Sequence, residues 1–380
     1  MTAMAAVVPS AVDDLATARP ARIRTPWLFS ARADLVAFVF APMLAFALLG
    51  LAPLLGIGLR GSTPTWAWIA CVVMVDVAHV HSTVFRVYLD TAEVRRRPML
   101  YLGTPVMAYS LGVLVHRTFG ALGFWRTLAY LAVWHFVRQQ VGWVALYRAR
   151  GGERGDLARK LDAWLDPAAI YAATLYPLLA WHARLPRRIS WFVAGDFVHG
   201  VPQLAASIAK PVWLALLVLF VARQLQLGID RRGVNLGKVL VVLGTYATWW
   251  VGIVVCDSDY AFTVTNVLPH GIAYFVLIAA YSRRRYADRS AAPAKLASSL
   301  LRFGFGAAFA VLVLFSFAEE GLWDRFVWHD HERLFGEGHV LSTRALAFLV
   351  PLLALPQAVH YVLDGAIWKR RGNPTLWRYL

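Results

Sequence analysis

The amino-acid sequence predicts an all-α fold: a polytopic membrane bundle of about ten transmembrane helices, with both termini in the cytoplasm. Hydrophobic residues make up 59% of the 380 positions and charged residues only 16%, and the mean hydropathy is +0.54. Ordinary soluble domains carry about 25% charged residues. The composition therefore argues against a soluble enzyme and is typical of a chain that folds in lipid.

Apolar runs of about 20 residues, the length that crosses about 30 Å of hydrocarbon, recur along the whole chain. The interruptions by Pro167 and Pro177 make the fifth run the least regular. We expect the spans near residues 35–58, 66–89, 99–117, 120–147, 163–181, 206–226, 238–256, 260–281, 298–318 and 343–368.

The charges of the connections support this order independently. The basic segments are the N-terminal tail, the loops at 95–97, 148–160, 231–232 and 283–289, and the C-terminal end. These are alternate connections, as expected when cytoplasmic loops hold the Arg and Lys residues. The fifth loop, with Arg184, Arg187 and Arg188 on the opposite side, is the exception and leaves a re-entrant segment open.

We expect a cytoplasmic tail over residues 1–34, a single transmembrane bundle over 35–368 and a basic cytoplasmic tail over 369–380. The formal net charge of +16 comes from loops that orient the chain and contact lipid head groups, so no nucleic-acid partner is expected. The Arg-rich, Lys-poor composition indicates a bacterium, and hence a multi-pass protein of the inner (cytoplasmic) membrane. The oligomeric state stays open.

The second predicted span contains ionisable residues at helical spacing. Asp76, His79, Thr83 and Arg86 fall on one helix face. Ionisable groups at membrane depth are costly and by default indicate a functional site. His81 lies about 200° further round the helix than His79. We therefore take His79 as the site residue and expect His81 to support it or to pack.

Three later spans each place a histidine on a polar face. These faces hold His135, Arg138, Gln139 and Gly142; Asn266, His270 and Tyr274; and Gln357, His360 and Asp364. Polar faces on otherwise apolar spans normally point into the bundle or into a wet cavity. Each of these three histidines is therefore expected to face the interior.

The predicted topology puts the four histidines at one depth. His79, His135, His270 and His360 lie about 8 to 12 residues from the cytoplasmic ends of helices that run in the same direction, which is about 12 to 18 Å. Chance placement would scatter them over about 30 Å. The sequence therefore predicts one shared polyhistidine metal site in the cytoplasmic half of the bundle.

Imidazole is the commonest neutral metal ligand and suits iron, zinc and copper. Neighbouring carboxylate and amide groups would fix the orientation of the rings. The candidates for that role are Asp76, Gln139, Asn266, Gln357 and Asp364, with His81. Tyr274, Trp134 and Trp143 would shape an apolar cavity for a lipophilic substrate that enters from the bilayer.

Three of these segments are similar to motifs of the Brp/Blh family of bacterial membrane β-carotene dioxygenases. They are LPHG around His270, WHF around His135 and, above all, PQAVHYVLDGAIWK around His360 and Asp364. The resemblance covers about a tenth of the chain. It implies a non-haem Fe²⁺ centre held by histidines, with O₂ oxidising or cleaving a polyene or another lipid.

The chain departs from that family in having more spans and in placing Arg86 and Arg138 near the proposed metal. A cation there opposes metal binding but suits an anionic group of a substrate. We therefore expect Arg86, Arg138 and Tyr274 to take part in catalysis.

Other functions use the same residues. A proton-coupled transporter would use the buried His, Asp and Arg groups as a relay, although neither inverted repeats nor broken helices are visible. A haem protein would use the histidines as axial ligands. Zinc is a further alternative to iron, but the sequence has no HExxH motif for zinc hydrolysis.

Overall fold

A computed structural model describes residues 26–58, 62–153, 156–230, 232–288, 295–301, 303–369, 373 and 376–380. Most of the predicted N-terminal tail, residues 1–25, and the basic residues Arg370 and Arg371 lie outside these ranges. The described residues form helices and connecting loops without any β-strand, so the predicted all-α class is confirmed.

Nine long helices make up the described part of the bundle. They are α1 (Ala31–Leu55), α2 (Thr65–Tyr88), α3 (Pro98–Arg150), α4 (Lys160–His182), α5 (Gln203–Ile229), α6 (Leu236–Val255), α7 (Asp259–Ala287), α8 (Phe305–Trp328) and α9 (Thr343–Ile367). Short helices cover Thr91–Arg96, Lys295–Leu301, Glu332–Phe335 and Leu376–Tyr379.

Eight of the helices in the described ranges, all except α4, are long and apolar enough to cross a membrane. Helix α3 has 53 residues and contains two of the predicted spans, 99–117 and 120–147. Its backbone leaves the helical conformation at Gly120, where φ is 73° and ψ is −178°. Glycine adopts this conformation without the steric cost that a side chain brings.

The two arms of α3, residues 98–119 and 121–150, fold back on each other at this point. A Cβ atom built on Gly112 would lie 3.4 Å from the Phe124 ring, whereas 12 residues of straight helix span about 18 Å. When the two arms of α3 are counted as separate helices, the described helices therefore lie at the positions of all ten predicted spans. How many of them cross the membrane stays a prediction.

Buried ion pairs join α3, α4 and α6 at the end of the bundle that we expect to face the cytoplasm. The ammonium group of Lys238, which is fully buried, lies 2.9 Å from carboxylates of both Glu153 and Asp166. Arg148 lies 3.3 Å from Asp166. Because each buried charge has an opposite partner, the desolvation cost of the group is offset.

The four helices with the predicted histidines are neighbours inside this bundle. Helix α7 is the most buried of the membrane-length helices, and it packs on α2, which in turn contacts α9. Helix α9 packs along α3. The fold therefore surrounds one central position with α2, α3, α7 and α9.

Candidate metal centre

The structure brings the four predicted histidines together. The Nε2 atoms of His79 and His270 lie 3.2 Å apart, and so do those of His135 and His360. The ring centroids of different histidines are 4.7 to 6.4 Å apart. All four side chains are buried, with exposed fractions between 0% and 3%.

These separations match those of ligands around a single ion. Metal–nitrogen bonds of about 2.0 to 2.1 Å place two tetrahedral ligands about 3.4 Å apart and two adjacent octahedral ligands about 2.9 Å apart. The observed 3.2 Å lies between these values. One nitrogen each of His79, His135 and His360 lie within 4.8 Å of one another. Small side-chain movements would therefore complete a metal site.

A close approach of two helices places His270 beside His79. A Cβ atom added to Gly271 would lie 2.5 Å from Val75 Cγ1 and 3.1 Å from the Val75 carbonyl oxygen. No residue larger than glycine fits there without moving α7 away from α2. Gly271, which the sequence places directly after His270, therefore sets the distance between two of the histidines.

Three of the four histidines have a polar partner at Nδ1. His79 Nδ1 lies 3.5 Å from Asp76, and His135 Nδ1 lies 3.7 Å from Asp364. His360 Nδ1 lies 2.7 Å from the hydroxyl oxygen of Thr83. A hydrogen-bond acceptor near Nδ1 would favour a proton on that nitrogen and leave the Nε2 lone pair free for a metal. The contact of His360 with Thr83 is a hydrogen bond, whereas His79 Nδ1 has no hydrogen-bond partner among the described residues.

The ring of His270 is held by stacking instead of by a carboxylate. It packs parallel to Phe136, with centroids 3.7 Å apart and an angle of 4° between the rings. Its Nδ1 atom is buried without a hydrogen-bond partner among the described residues. Phe136 thus fixes the plane of the ligand while leaving its Nε2 atom directed at His79.

Four other residues were predicted to orient the histidine rings, and their contacts differ: Gln139, Asn266, Gln357 and His81. Gln139 donates to the backbone carbonyl of His270 at 3.5 Å. Asn266 is buried and donates to Thr265, and Gln357 lines a cavity that also reaches Asp76. His81 points to α8, where its Nε2 atom is 2.8 Å from Glu319. The structure therefore places His81 apart from the four histidines.

Arg86 is a buried structural cation. One guanidinium nitrogen lies 3.2 Å from Glu93 and another donates to the carbonyl oxygen of Ile367 at 3.2 Å. The guanidinium also stacks over Tyr281, 4.5 Å from the ring centroid. Because Glu93 balances its charge, Arg86 is not a free anion-binding group at the cluster.

Arg138 and Tyr274, the other two residues with a predicted catalytic role, differ in position. Arg138 is exposed on the outer surface of α3, where it donates to Tyr171 at 2.6 Å. It lies 60° round the helix from His135, which is enough to turn it outward. The ring of Tyr274 lies 5.2 Å from that of His360, and its buried hydroxyl group interacts with Asp364.

Sequence reasoning did not assign a site role to Thr83, Phe136 or Tyr361. Helical spacing could have indicated Thr83, which lies on the same helix face as His79. The WHF motif could have indicated Phe136, which is part of it. Tyr361 stacks on His135 with centroids 5.0 Å apart. A residue next to a histidine in sequence does not normally share its helix face, so no pattern indicated this contact.

Two cavities reach the residues around the cluster from different directions. The first, which we call the acidic cavity, is lined by five carboxylates: Asp76, Asp259, Glu320, Asp324 and Asp330. It has a volume of about 380 Å³ and extends to Tyr361. The apolar groove, of about 280 Å³, lies between α2, the first arm of α3 and α9 and extends to Thr83. It is lined by Val80, His81, Thr83, Val84, Tyr88, Pro105, Leu352, Leu355, Pro356 and Val359.

The cluster thus combines four buried imidazole rings with polar groups near three of them, and two cavities reach its surroundings. Comparison of the chain with models of protein families, with curated proteins and with solved structures found no match.

Proposed function

We propose that this protein is a membrane-embedded, metal-dependent oxidase or oxygenase with non-haem iron at His79, His135, His270 and His360. The observation that carries this proposal is the convergence of their Nε2 atoms, in two pairs at 3.2 Å. Imidazole binds a metal in its neutral form, and all four rings are buried in the interior of the bundle.

A single ion suits this geometry better than haem. A porphyrin would have to lie between the axial histidines, but His79, His135 and His360 each have another histidine ring within 4.8 Å. Imidazole nitrogens bind both iron and zinc. We favour iron because the resemblance of three motifs to the Brp/Blh family implies an Fe²⁺ centre. The bound iron would supply the redox chemistry with O₂.

The apolar groove supports a lipophilic substrate such as a carotenoid or another lipid. It opens on the lateral surface of the bundle, and Thr83 at its inner end contacts His360 at 2.7 Å. A long apolar molecule could therefore pass from the bilayer to the edge of the cluster without crossing water. Tyr274, whose ring lies 5.2 Å from that of His360, is our candidate for a hydrogen bond to the reacting group.

We further propose that ten segments span the inner membrane of a bacterium, with both termini in the cytoplasm. The arrangement of basic loops in the sequence supports this topology. In this topology, the histidine cluster would lie in the cytoplasmic half of the bilayer.

The proposal is tested by elemental analysis and absorption spectroscopy of the detergent-purified protein, beside His135→Ala, His270→Ala and, as a matched control, His199→Ala at an exposed histidine. We expect about one iron per chain and no Soret band, with iron lost from the two cluster variants and kept in the control. Turnover assays with O₂ and carotenoids or other lipids would follow.

Iron-free protein that is folded and takes up no added Fe²⁺ would overturn this function. The two His–His contacts would then favour the second candidate, a proton-coupled carrier, because an Nε2–H of one ring can donate to the Nε2 of the other at 3.2 Å. A proton-flux assay in proteoliposomes would test that function directly.

A further inference from the structure

The acidic cavity lies between α2, α7, α8 and the connections at one end of the bundle. Five carboxylates line it, and none of its lining residues in the described part of the chain is Lys or Arg. The five are Asp76, Asp259, Glu320, Asp324 and Asp330. Such a wall creates a negative potential that concentrates cations.

Two of these carboxylates are buried without a full set of partners. Glu320 is 8% exposed, and its carboxylate has no hydrogen bond or ion pair with a residue that the structure describes. Asp324 is 2% exposed. One of its oxygens accepts the backbone N–H groups of Asp330 and His331, at 2.9 and 2.7 Å, while Oδ2 has no partner in the described ranges.

Buried carboxylates of this kind are costly unless a cation accompanies them. Those of Glu320 and Asp324 face a common space with the imidazole of His331, which stacks on Trp68 and lies 3.7 Å from Asp324. Carboxylate oxygens and an imidazole form a ligand set that divalent metals accept. The unpartnered oxygens thus point to a metal cation as the occupant of the cavity.

The inner end of the same cavity reaches residues that contact the histidine cluster. Asp76 lines the cavity and lies 3.5 Å from His79, and Tyr361 lines it and stacks on His135. The four histidines themselves are almost completely buried. A metal ion therefore needs an entry path, and this cavity supplies one that is lined by negative groups.

We propose that the acidic cavity binds a divalent metal cation at Glu320, Asp324 and His331 and passes it to the histidine cluster. This inference rests on the proposed metal centre. Transfer is downhill for metals such as Fe²⁺, Co²⁺ and Zn²⁺, because they bind four imidazoles more tightly than a few carboxylates. The step exchanges ligands only and needs neither an oxidant nor a reductant.

Stopped-flow loading of metal-free protein with Co²⁺ tests the proposal, because the visible absorption of Co²⁺ changes with its ligands. We expect Glu320→Gln and Asp324→Asn to slow loading roughly tenfold at low ionic strength. The final Co²⁺ content and spectrum should stay those of the wild type. Glu332→Gln removes an exposed carboxylate from the same chain segment, outside the cavity, and should load at the wild-type rate.

Glu320→Asp keeps the charge and should restore most of the loading rate, which separates an electrostatic role from damage to the fold. Added salt should slow the wild type more than Glu320→Gln, since screening acts on the charge that the variant lacks. Wild-type loading rates in both neutral variants, with a normal final spectrum, would overturn the entry path and leave the metal centre standing. Failure of the wild type to bind Co²⁺ would instead overturn the metal centre and this inference together.

Discussion

The Nε2 atom of His79 lies 3.2 Å from that of His270, although 191 positions separate the two residues in the chain. Other residues also support the two rings: the carboxylate of Asp76 lies 3.5 Å from His79, Phe136 stacks on His270, and Gly271 allows α2 and α7 to approach. The supporting contacts can therefore be changed one at a time while all four ligands stay in place.

Gly271→Ala should weaken metal binding without altering a ligand. The new Cβ atom would meet the side chain and backbone of Val75, so α7 has to move away from α2 and carry His270 with it. We expect the metal affinity to fall by about tenfold or more, as for other losses of ligand support. Competition titration with a chelator measures the metal affinities of Gly271→Ala and the wild type.

Gly365→Ala is the matched control, because its Cβ would contact nothing within 4 Å on α9. Equal affinities of the two variants and the wild type would show that the contact of Gly271 with Val75 does not position the ligand.

Asp364→Asn should lower the metal affinity by about 10- to 100-fold. The carboxylate of Asp364 faces Nδ1 of His135 at 3.7 Å and is held by an N–H donor of Trp368 at 2.6 Å. An amide in its place loses the charge that stabilises the Nδ1–H tautomer. Asp257→Asn, which removes the partner of Arg187 in a loop remote from the cluster, should leave the affinity unchanged.

Binding of the metal should stabilise the folded protein. A free metal concentration 100-fold above the dissociation constant adds about 2.7 kcal/mol to the free energy of unfolding. Thermal unfolding of the wild type in detergent should therefore occur at a lower temperature after chelation. In His135→Ala, the curves with and without chelator should coincide; a shift of the same size in this variant would place the bound metal elsewhere.

Glu93→Gln should destabilise the fold by about 3 to 5 kcal/mol, because it leaves the buried Arg86 cation without its partner. Burial raises the pKa of the Glu93 carboxyl, but the ion pairs with Arg86 and Arg96 outweigh this effect, and the net pKa is below the ordinary value. The ion pair therefore stabilises the protein fully above the unfolded pKa of 4.5 and is lost as the pH falls through the folded pKa.

The measurement is the unfolding temperature of wild type and Glu93→Gln as a function of pH. The difference between them should shrink below pH 4.5, when the wild type also loses the charge. A constant difference down to the acid limit would show that the ion pair does not contribute the stability.

Periodicity and topology predicted much of the site, because both depend on local sequence. The helical faces of α2, α3, α7 and α9 and their common depth follow from spacing and span order, and the structure brings all four histidines together. The same spacing placed Arg138 beside His135, yet a 60° offset turns its side chain outward to Tyr171. Arg86 remained inside, but its partner Glu93 comes from the short helix Thr91–Arg96 between two spans, whose position the pattern of the spans does not predict.

The acidic cavity was beyond sequence reasoning for a similar reason. Glu319 and Glu320 are adjacent in the chain and diverge on the helix, so one contacts His81 while the other faces the cavity. The fold-back of α3 at Gly120 was expected only as a short connection between spans. The two arms join directly at Gly120, because glycine permits the backbone conformation that is found there.

The distribution of the ligands over α2, α3, α7 and α9 also has a consequence for synthesis. Helix α7 ends at Ala287 and α9 begins at Thr343, so the ribosome completes the first three histidine-bearing helices before it begins the last one. Until α9 enters the bilayer, the polar faces of the earlier helices have no complete set of partners. We therefore expect the proposed metal centre to be completed at the end of membrane insertion, and truncation before α9 should yield an inserted protein that cannot retain metal.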